Sequence, residues 1–451
     1  MHGSGQAGWL RPDFPFSPKK FPFFYGWMIL VMSTLGLLMS VPGQTMGVSA
    51  FTDYLIEALN LSRLELSTAY MLGTIASSFC LPWGGLLFDR IGARLMIILS
   101  SILLGLVLIY LSQSDRMAHL FYTPDETWFA TLVSFVTVLL GFYLLRFAGQ
   151  GMIAMTSRSM LGKWFDKRRG LASGISGVLV TFLFAAAPLI FDQLIGWFDW
   201  RTAWIILAGV LFTFAVVGWT FFRDNPEECG LRMDGSPEPS PSDDPQENAN
   251  GIAKEFTLKE AQVSYPFWVF TLGLSAQAMI ITAVTFHIVS IGESVSLSRE
   301  EALGIFLPMA VVSTISNLIF GRIADLFELK YLLIFMLAML SLGSFSILYM
   351  QHTLGLILVV LGFGMSNGVF APLMVVVWPK FYGREHLGAI SSLNLSAQVF
   401  ASAIGPSLFG LFFELYESYF WGLIISTLIP LLIILLSFGA NNPQRQFAPK
   451  Q

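Results

Sequence analysis

Twelve long apolar runs constrain this chain more than any other feature of its sequence. A helix needs about 20 mostly apolar residues to cross the hydrocarbon core of a bilayer. The runs are continuous and do not alternate polar with apolar residues, so they predict helices and disfavour a β-barrel. Spans 1 to 12 are predicted at residues 24–49, 66–87, 95–113, 129–160, 170–195, 202–222, 265–289, 301–321, 331–350, 354–378, 387–413 and 419–438.

The composition supports a surface that faces lipid. Only 12% of the 451 residues are charged and 55% are hydrophobic, whereas soluble globular chains carry roughly 25% charged residues. We therefore expect an all-α membrane protein. The net charge of −4 gives no support for nucleic-acid binding. The two cysteines predict neither a disulfide framework nor a metal site.

The positions of lysine and arginine orient the spans, because cytoplasmic loops are enriched in both. With the N-terminus inside, nineteen of the 25 basic residues fall on the cytoplasmic side and four outside, while Arg146 and Arg158 lie within span 4. No cleavable signal peptide is recognisable before span 1. We expect a multi-pass protein of the cell (inner or plasma) membrane with both termini in the cytoplasm.

The longest polar stretch divides the twelve spans into six and six. Its Pro- and Ser-rich centre, residues 234–245, is typical of a disordered tether. The expected regions are a cytoplasmic arm, an N-terminal six-helix bundle, a cytoplasmic linker, a C-terminal six-helix bundle and a cytoplasmic tail, at residues 1–23, 24–222, 223–264, 265–438 and 439–451.

A gapless internal match supports two related halves. Five residues of span 5 recur in span 11 at an offset of 218 (388 − 170). The pairs are Gly170 with Gly388, Ser173 with Ser391, Ala185 with Ala403, Pro188 with Pro406 and Phe191 with Phe409. Apolar helices share composition, so chance similarity is the alternative explanation.

The loop between spans 2 and 3 carries the most specific motif, Gly85-Leu-Leu-Phe-Asp89-Arg90-Ile-Gly92-Ala-Arg94. A degenerate copy, Gly321-Arg322-Ile-Ala-Asp325, precedes span 9. The first run resembles the signature G-x-L-x-D-R-x-G-x-R of the major facilitator superfamily. This resemblance implies twelve transmembrane helices in two pseudo-symmetric six-helix bundles. It also implies a cytoplasmic latch between the halves, formed by Gly85, Asp89, Arg90, Gly92, Arg94, Gly321, Arg322 and Asp325. The alternative is a basic loop that only sets topology.

Span 4 contains the run Arg146-Phe-Ala-Gly149-Gln150-Gly151, which resembles the superfamily's span-4 motif. An arginine in the hydrocarbon costs at least about 2.5–3.5 kcal/mol on insertion scales, so such a residue normally faces a cavity or a partner. Gln150 follows four residues later on the same helix face. We expect Arg146 to line the solute or coupling-ion pathway, the alternative being a structural role. Arg158 is expected to snorkel or to join the loop network.

Three short patterns resemble the monocarboxylate and oxalate–formate exchanger branch of the superfamily. They are Tyr25-Gly26-Trp27, the run at 223–230 and Trp378-Pro-Lys-Phe-Tyr-Gly-Arg384. The branch usually places an arginine in span 8, often with an aspartate one turn earlier, but this chain has Asn317 and Ser313 there. The usual carboxylate clamp of the second half is therefore missing, and Arg146 is the only deeply placed cation.

The remaining polar residues of the spans are mostly amides. Amides and one arginine suit a small polar or anionic solute held by hydrogen bonds. The predicted solute-binding residues are Arg146, Gln44, Gln150, Asn317, Ser313, Gln277, Asn394 and Gln398, and Asn367 belongs to the same inventory. Each amide taken alone is more often an interhelical hydrogen bond than a ligand.

The coupling mode stays open at the level of the sequence. No Asp or Glu lies in the middle of a span, and a buried carboxylate is the usual proton carrier. His287, in the outer half of span 7, is the candidate for proton coupling because histidine titrates near neutral pH. A packing role is the alternative for a single histidine. Proton coupling, exchange against a counter-anion and uniport are all compatible with these residues.

The leading hypothesis is a secondary transporter that moves a small, monocarboxylate-like organic anion by alternating access. The alternatives are an efflux antiporter for amphipathic compounds and a non-transporting membrane sensor. We expect a monomer that needs no cofactor. No metal-ligand spacing, nucleophile elbow or phosphate loop occurs in the connectors, so an enzyme is not expected.

Overall fold

The computed structural model describes residues 11–120, 127–235 and 253–447. Within these ranges the chain is helical and contains no strand. Most of the expected tether, from residue 236 onward, lies outside the described residues. The all-α fold class predicted from the sequence is confirmed.

The first half of the chain contains nine α-helices in the described ranges, with a π-helical segment between α6 and α7. They are α1 (Gly26–Met39), α2 (Thr45–Ser49), α3 (Thr52–Leu59), α4 (Arg63–Ser112), α5 (Ser114–His119), α6 (Thr127–Leu145), the π segment (Arg146–Ile153), α7 (Ala154–Trp164), α8 (Arg169–Trp197) and α9 (Trp200–Phe221). Short 3₁₀ turns occur at Pro18–Lys20, Val41–Gly43, Glu227–Cys229 and Met233–Gly235.

The second half contains eight α-helices in the described ranges. They are α10 (Leu258–Val263), α11 (Tyr265–Ser294), α12 (Arg299–Gly304), α13 (Phe306–Leu326), α14 (Leu329–Ser346), α15 (Thr353–Tyr382), α16 (Leu387–Tyr416) and α17 (Phe420–Ser437). One 3₁₀ turn, Ile347–Tyr349, lies between α14 and α15, and a second, Pro443–Gln446, follows α17.

Nine helices of the described chain are individually long and apolar enough to cross a membrane, and the bent helix α8 raises the number to ten. Helix α4 corresponds to two predicted spans, because Gly92 breaks it at φ 81°. Unbroken, its 50 residues would extend about 75 Å, more than twice the hydrocarbon thickness of about 30 Å. The short α1, with 14 residues, completes the twelve predicted runs.

Side-chain caps fix where several helices begin. The hydroxyl of Ser62 accepts a hydrogen bond from the Glu65 N–H, and the Glu65 carboxylate accepts one from the Ser62 N–H. Thr257 and Glu260 form the same reciprocal pair at the start of α10. Such capping boxes satisfy N–H groups that the first turn of a helix leaves free.

An apolar stripe on α6 remains exposed in the folded chain. Leu132, Val136 and Leu140 recur every four residues and are about half exposed. Residues at i and i+4 share one helix face, so the stripe is one continuous apolar surface. A lipid-facing surface of a multi-pass membrane protein has this character.

Contacts between residues divide the chain into two compact units. The first unit comprises residues 1–164 and 182–236, and the second comprises residues 165–181 and 237–451. In the first unit, the rings of Phe51 and Trp204 pack with centroids 4.4 Å apart. In the second, Phe267 packs against Trp378 with centroids 5.5 Å apart. Each unit therefore has an aromatic core of its own.

Candidate functional site

Span 1 is not one helix. Helix α1 ends at Met39, a 3₁₀ turn follows at Val41–Gly43, and Gln44 is extended at φ −98° and ψ 160° before α2 begins. Pro42 explains the break, because proline has no N–H to donate and its ring clashes with the preceding helical turn. The sequence predicted a continuous run at 24–49, so the break is a feature that hydropathy did not reveal.

Span 4 is also irregular, at the point where it contacts the break in span 1. Residues Arg146–Ile153 form a π-helical segment between α6 and α7. A Cβ atom added to Gly43 would lie 2.7 Å from the Cα of Gly149 and 2.8 Å from the carbonyl oxygen of Leu145. Only glycine permits this approach of two backbones, and π segments are frequent at functional sites.

The contact between the two irregular segments positions Arg146. Its Nη1 donates to the carbonyl oxygen of Gly43 at 3.3 Å and to the hydroxyl of Thr45 at 3.5 Å. Its guanidinium carbon lies 5.4 Å from the centre of the Tyr70 ring. The Tyr70 hydroxyl in turn donates to the Thr45 hydroxyl at 2.9 Å. The broken span therefore supplies a carbonyl and a hydroxyl to a buried cation.

The charge of Arg146 is not neutralised by the described part of the protein. The side chain is only 3% exposed, and no described carboxylate lies within 4.0 Å of its nitrogens. Its Nε has no hydrogen-bond acceptor, and neither does the buried Oε1 of Gln150 have a donor. A guanidinium has five N–H donors, so Arg146 keeps capacity to bind an anion.

Gln44 and Gln150 belong to the same unit as Arg146. Gln44 is half-buried at the break of span 1, where its Nε2 donates to the Ser40 hydroxyl at 3.2 Å. Gln150 lies within the π segment beside Gly149. Three of the eight predicted solute-binding residues are thus in or beside the two irregular segments.

The remaining five predicted solute-binding residues belong to the second unit, and Asn317 is the most informative. Its side chain packs against Gly177, where a Cβ atom would collide with the amide nitrogen. It is 3% exposed and its Oδ1 has no donor. Ser313, one turn earlier on α13, is also buried, and its carbonyl oxygen approaches Gly368 at 2.6 Å from the position of an added Cβ.

The other three amides already have partners inside the second unit. Gln277 donates from Nε2 to the Oδ1 of Asn367 at 2.6 Å, which joins α11 to α15. Asn394 and Gln398 both donate to the sulfur of Met374, at 3.5 and 3.0 Å. Because thioether sulfur is a weak acceptor, the last two amides keep more free capacity than Gln277.

His287 is held by hydrogen bonds without a charged neighbour among them. Its Nε2 lies 2.9 Å from the carbonyl oxygen of Pro406 and its Nδ1 lies 3.3 Å from the Tyr419 hydroxyl. The oxygen of that hydroxyl also lies 3.0 Å from the Ser290 hydroxyl oxygen. A carbonyl accepts only, so Nε2 carries the proton of the neutral ring, and Nδ1 is the nitrogen at which a second proton would bind.

The first copy of the glycine motif forms a turn at Gly92, which has a positive φ. The carboxylate of Asp224 occupies the space where a Cβ of Gly92 would be and accepts a hydrogen bond from the Ala93 N–H. Gly85 is buried, Asp89 is half-buried and Arg90 is exposed. The latch role of these residues stays a prediction.

Arg94 of the same motif is buried and binds the N-terminal arm. It donates to the carbonyl oxygen of Trp219 at 2.5 Å and to those of Arg11 and Phe14 at 3.1 and 2.7 Å. Arg223 donates to the same arm, at the carbonyl oxygens of Pro12 and Phe14. Two arginines therefore fix residues 11–16 within the first unit.

The degenerate copy forms a helix cap. Asp325 accepts hydrogen bonds from the N–H groups of Gly170 and Leu171, at 2.7 and 3.1 Å, in the first turn of α8. Gly321 and Gly170 meet backbone to backbone, with no room for a Cβ on either. A carboxylate at a helix N-terminus is stabilised by the helix dipole. Arg322, which lies between Gly321 and Asp325 in the sequence, is exposed.

Sequence reasoning missed the carboxylates that hold the two glycine turns. Asp224 accepts from the N–H of Ala93, next to Gly92, across 131 residues of sequence. In the second unit, Glu255 accepts from the N–H groups of Arg384 and Glu385, at 2.7 and 2.9 Å, beside Gly383 at φ 86°. The only available signal was a glycine after a span in each case, since no local pattern names the distant carboxylate.

Burial shifts the pKa values of two ionisable groups in the turn that follows α9. Burial raises the pKa of the Cys229 thiol to about 12, and the nearby Arg223 only partly opposes this shift. Burial also raises the pKa of Glu228, against a hydrogen bond from Asn225. Cys229 is therefore an unreactive thiol at neutral pH.

Comparison with known families places the chain in a broad class. The family model described as Major Facilitator Superfamily matches residues 32–406, and a second alignment covers residues 309–451. Monocarboxylate transporter 4 of Gallus gallus is 26% identical over 310 residues, which cover 65% of this chain and 62% of that protein. Human Monocarboxylate transporter 14 is 22% identical over 476 residues, which cover 91% of this chain and 89% of that protein.

Solved structures agree at the level of the fold. The proton:xylose symporter XylE bound to 6-bromo-6-deoxy-D-glucose superposes with a TM-score of 0.69 at 16% identity, covering 93% of this chain and 98% of that one. A bacterial homologue of the iron transporter ferroportin, in an outward-facing state, gives a TM-score of 0.66 at 15% identity, covering 91% and 99%. The resemblance that the motifs predicted is confirmed.

Proposed function

This chain belongs to the major facilitator superfamily, and we propose that it is a secondary transporter of a small, monocarboxylate-like organic anion that works by alternating access. The observation that carries the choice of an anion is the state of Arg146. It is buried, its Nε lacks an acceptor, and no described carboxylate pairs with it.

A buried cation without a protein counter-charge has a physical cost that the solute would offset. Desolvation of a lone ion in a protein interior costs several kcal/mol even after relaxation, roughly in line with insertion penalties for arginine. A carboxylate recovers that cost through short, charge-assisted hydrogen bonds to the planar guanidinium. A neutral or cationic solute would leave the charge unpaired, so the site selects for anions.

The similarity to proteins named monocarboxylate transporters supports the same class of solute. The polar residues of α13 differ from an ionic clamp, because Ser313 and Asn317 offer only neutral groups. The unpaired Oδ1 of Asn317 supports a contact with a hydroxyl or N–H of the solute. Arg146 is therefore the proposed carboxylate contact of the first unit, and Asn317 is the proposed neutral hydrogen-bonding residue of the second unit.

We propose His287 as the group that takes up a proton if transport is driven by a proton gradient. Its Nδ1 faces the Tyr419 hydroxyl, and the rings of Phe409 and Tyr419 that pack against the imidazole carry no charge. An added proton on Nδ1 would turn that contact round, with the ring donating to the hydroxyl oxygen. Transport by exchange against a second anion would leave His287 neutral throughout.

The proposed setting is the cell membrane, with a monomer whose two termini lie in the cytoplasm. The support is the distribution of basic residues, nineteen on one side and four on the other. The outer four include Arg201, which pairs with Asp115. Accessibility of tags placed in the loops at 85–94 and 163–170 tests the orientation, since both must be cytoplasmic.

Flux into proteoliposomes tests the function. A panel of labelled formate, acetate, L-lactate, pyruvate and oxalate is offered with and without a pH gradient and with and without an internal anion. We expect saturable uptake of at least one member, and we expect Arg146→Ala to abolish it while the protein still elutes as a folded particle. Arg116→Ala is the matched control, because the Arg116 side chain is exposed and donates to Gln113, away from the proposed site. Full flux in Arg146→Ala refutes the assigned role.

A further inference from the structure

Span 4 contains a second arginine, Arg158, which has no bonding partner among the residues that the structure describes. It is the one residue of α7 that is not buried, since the other ten are enclosed. Within the described part of the chain it makes no hydrogen bond, ion pair or ring contact. The sequence predicted that Arg158 would either snorkel or join the loop network, and the described residues show no bond from it to a loop.

The π segment sets the direction of Arg158 relative to Arg146. Twelve residue steps (158 − 146) in an uninterrupted α-helix leave two side chains about 120° apart. A π segment contains roughly one more residue than an α-helix of the same length. The angle between the two side chains around the helix axis is therefore smaller by about 100°. The two guanidiniums therefore lie on nearly the same face, about 16–18 Å apart along the axis. Gln150, whose Oε1 is unpartnered, lies between them.

This shared face is not the lipid-facing side of the span. The exposed apolar stripe of α6 ends at Leu140. Six residue steps carry Arg146 about 120° away from that stripe. Arg158 is turned from the stripe by a similar angle. An arginine that only snorkels to lipid headgroups would be expected on the stripe itself, near the end of the span.

Deepening the proposed function, on which this step rests, we propose that Arg158 is a second binding position for the carboxylate of the transported anion. Arg146 binds the anion beside the break in span 1, and Arg158 receives it nearer the cytoplasmic end of span 4. The amide of Gln150 bridges the interval by hydrogen bonding. Two unpaired guanidiniums on one face give the anion favourable positions in succession without a single deep trap.

Transport kinetics measured from each face of the membrane test the proposal. The Michaelis constants for the labelled panel are measured from the outer face and from the cytoplasmic face, in right-side-out and inside-out vesicles. We expect Arg158→Gln to raise the cytoplasmic KM by about tenfold or more, the loss of a charge-assisted hydrogen bond, with the outer KM changed less than about twofold. Arg158→Lys should retain most of the affinity. An unchanged cytoplasmic KM in Arg158→Gln overturns the proposal.

A chemical rescue keeps the test independent of folding. Arg158→Cys is made in a background with Cys80→Ala and Cys229→Ala, and is treated with a cationic or a neutral methanethiosulfonate reagent. We expect the cationic aminoethyl reagent to restore cytoplasmic affinity and the neutral methyl reagent to have no effect. Arg116→Cys, treated identically, should respond to neither. Equal effects of the two reagents on Arg158→Cys would contradict a role for the charge.

Two further comparisons separate the competing explanations. Arg158→Gln is measured in phosphatidylcholine vesicles with and without phosphatidylglycerol, and an effect seen only with the anionic lipid assigns Arg158 to a headgroup and overturns the proposal. Retained flux in Arg146→Ala defeats the proposed function itself. Loss of flux in Arg146→Ala together with normal sided kinetics in Arg158→Gln defeats only the second binding position.

Discussion

Gly43 and Gly149 meet backbone to backbone, so that a Cβ on either residue would lie 2.7 Å from the Cα of the other. This contact joins the break of span 1 to the π segment of span 4 and sets where Arg146 lies. Gly149→Ala should push the two segments apart and cost about 1–3 kcal/mol of stability, as overpacking does in other cores. The free energy of anion binding should fall by more than the free energy of unfolding, because the contact of Arg146 with Gly43 is lost.

Gly209→Ala is the matched control for this prediction. Gly209 lies in α9 of the same unit, and an added Cβ would meet nothing within 4 Å. We expect it to be neutral or slightly stabilising, because alanine is the better helix former. Thermal unfolding in detergent and the KM of the labelled anion are measured for both variants. Equal behaviour of the two variants would show that the glycine contact has no special role.

Asp325→Asn should weaken the start of α8. The carboxylate accepts two N–H groups of the first turn, and the amide that replaces it carries no charge to interact with the helix dipole. We expect a loss of about 1–2 kcal/mol and slower transport. Glu293→Gln, at an exposed position near the outer end of α11, is the control. Normal stability and flux in Asp325→Asn would remove the degenerate motif from the proposed latch.

The ion pair between Asp115 and Arg201 predicts a pH dependence of the stability. Burial raises the pKa of Asp115, but hydrogen bonds of 2.6 and 2.7 Å from Arg201, the charge of Arg201 and backbone N–H groups together outweigh burial, so the net pKa is lowered. A lowered pKa contributes stability above the unfolded value of about 3.9, and that stability is lost as the pH falls through the folded pKa.

Asp115→Asn should therefore lower stability by about 1–2 kcal/mol at pH 7. The difference from the wild type should shrink as the pH is lowered from 5 to 3. Unfolding midpoints across that range provide the measurement, and Glu57→Gln, an exposed position of α3, is the control. A difference that is independent of pH would rule out the ionised pair as its origin.

His287→Gln separates proton coupling from packing. Glutamine keeps a donor for the carbonyl oxygen of Pro406 but has no titratable nitrogen. We expect the acceleration of uptake by an inward proton gradient to disappear, while anion exchange stays within about twofold of the wild type. His352→Gln, at an exposed position before α15, should leave both activities intact. Persistent gradient stimulation in His287→Gln would exclude the histidine as proton carrier.

The fold was predictable because its signals are local. A run of about 20 apolar residues is visible in the sequence, and so is the glycine turn between spans 2 and 3. The position of Arg146 inside a span was predictable for the same reason, since a charged residue within an apolar run is visible without any knowledge of its neighbours. The fold class followed from these features alone.

The parts that were missed depend on contacts distant in sequence. Nothing near Gly92 indicates that Asp224 will hold the turn, and nothing in span 7 indicates that Gln277 will bond to Asn367. The π segment was missed because an extra residue in a helix changes neither composition nor hydropathy. The amides of the predicted site could be recognised in the apolar runs, but their hydrogen-bond partners could not be assigned from the sequence.

The carboxylates of Asp224 and Glu255 each fasten one end of the connecting segment to the unit beside it. The connecting segment is thus held at both of its ends by a hydrogen-bonded carboxylate. A fluorescent protein or an affinity tag inserted between residues 236 and 252 should consequently leave transport intact. The connector offers a place to build a sensor without disturbing the carrier.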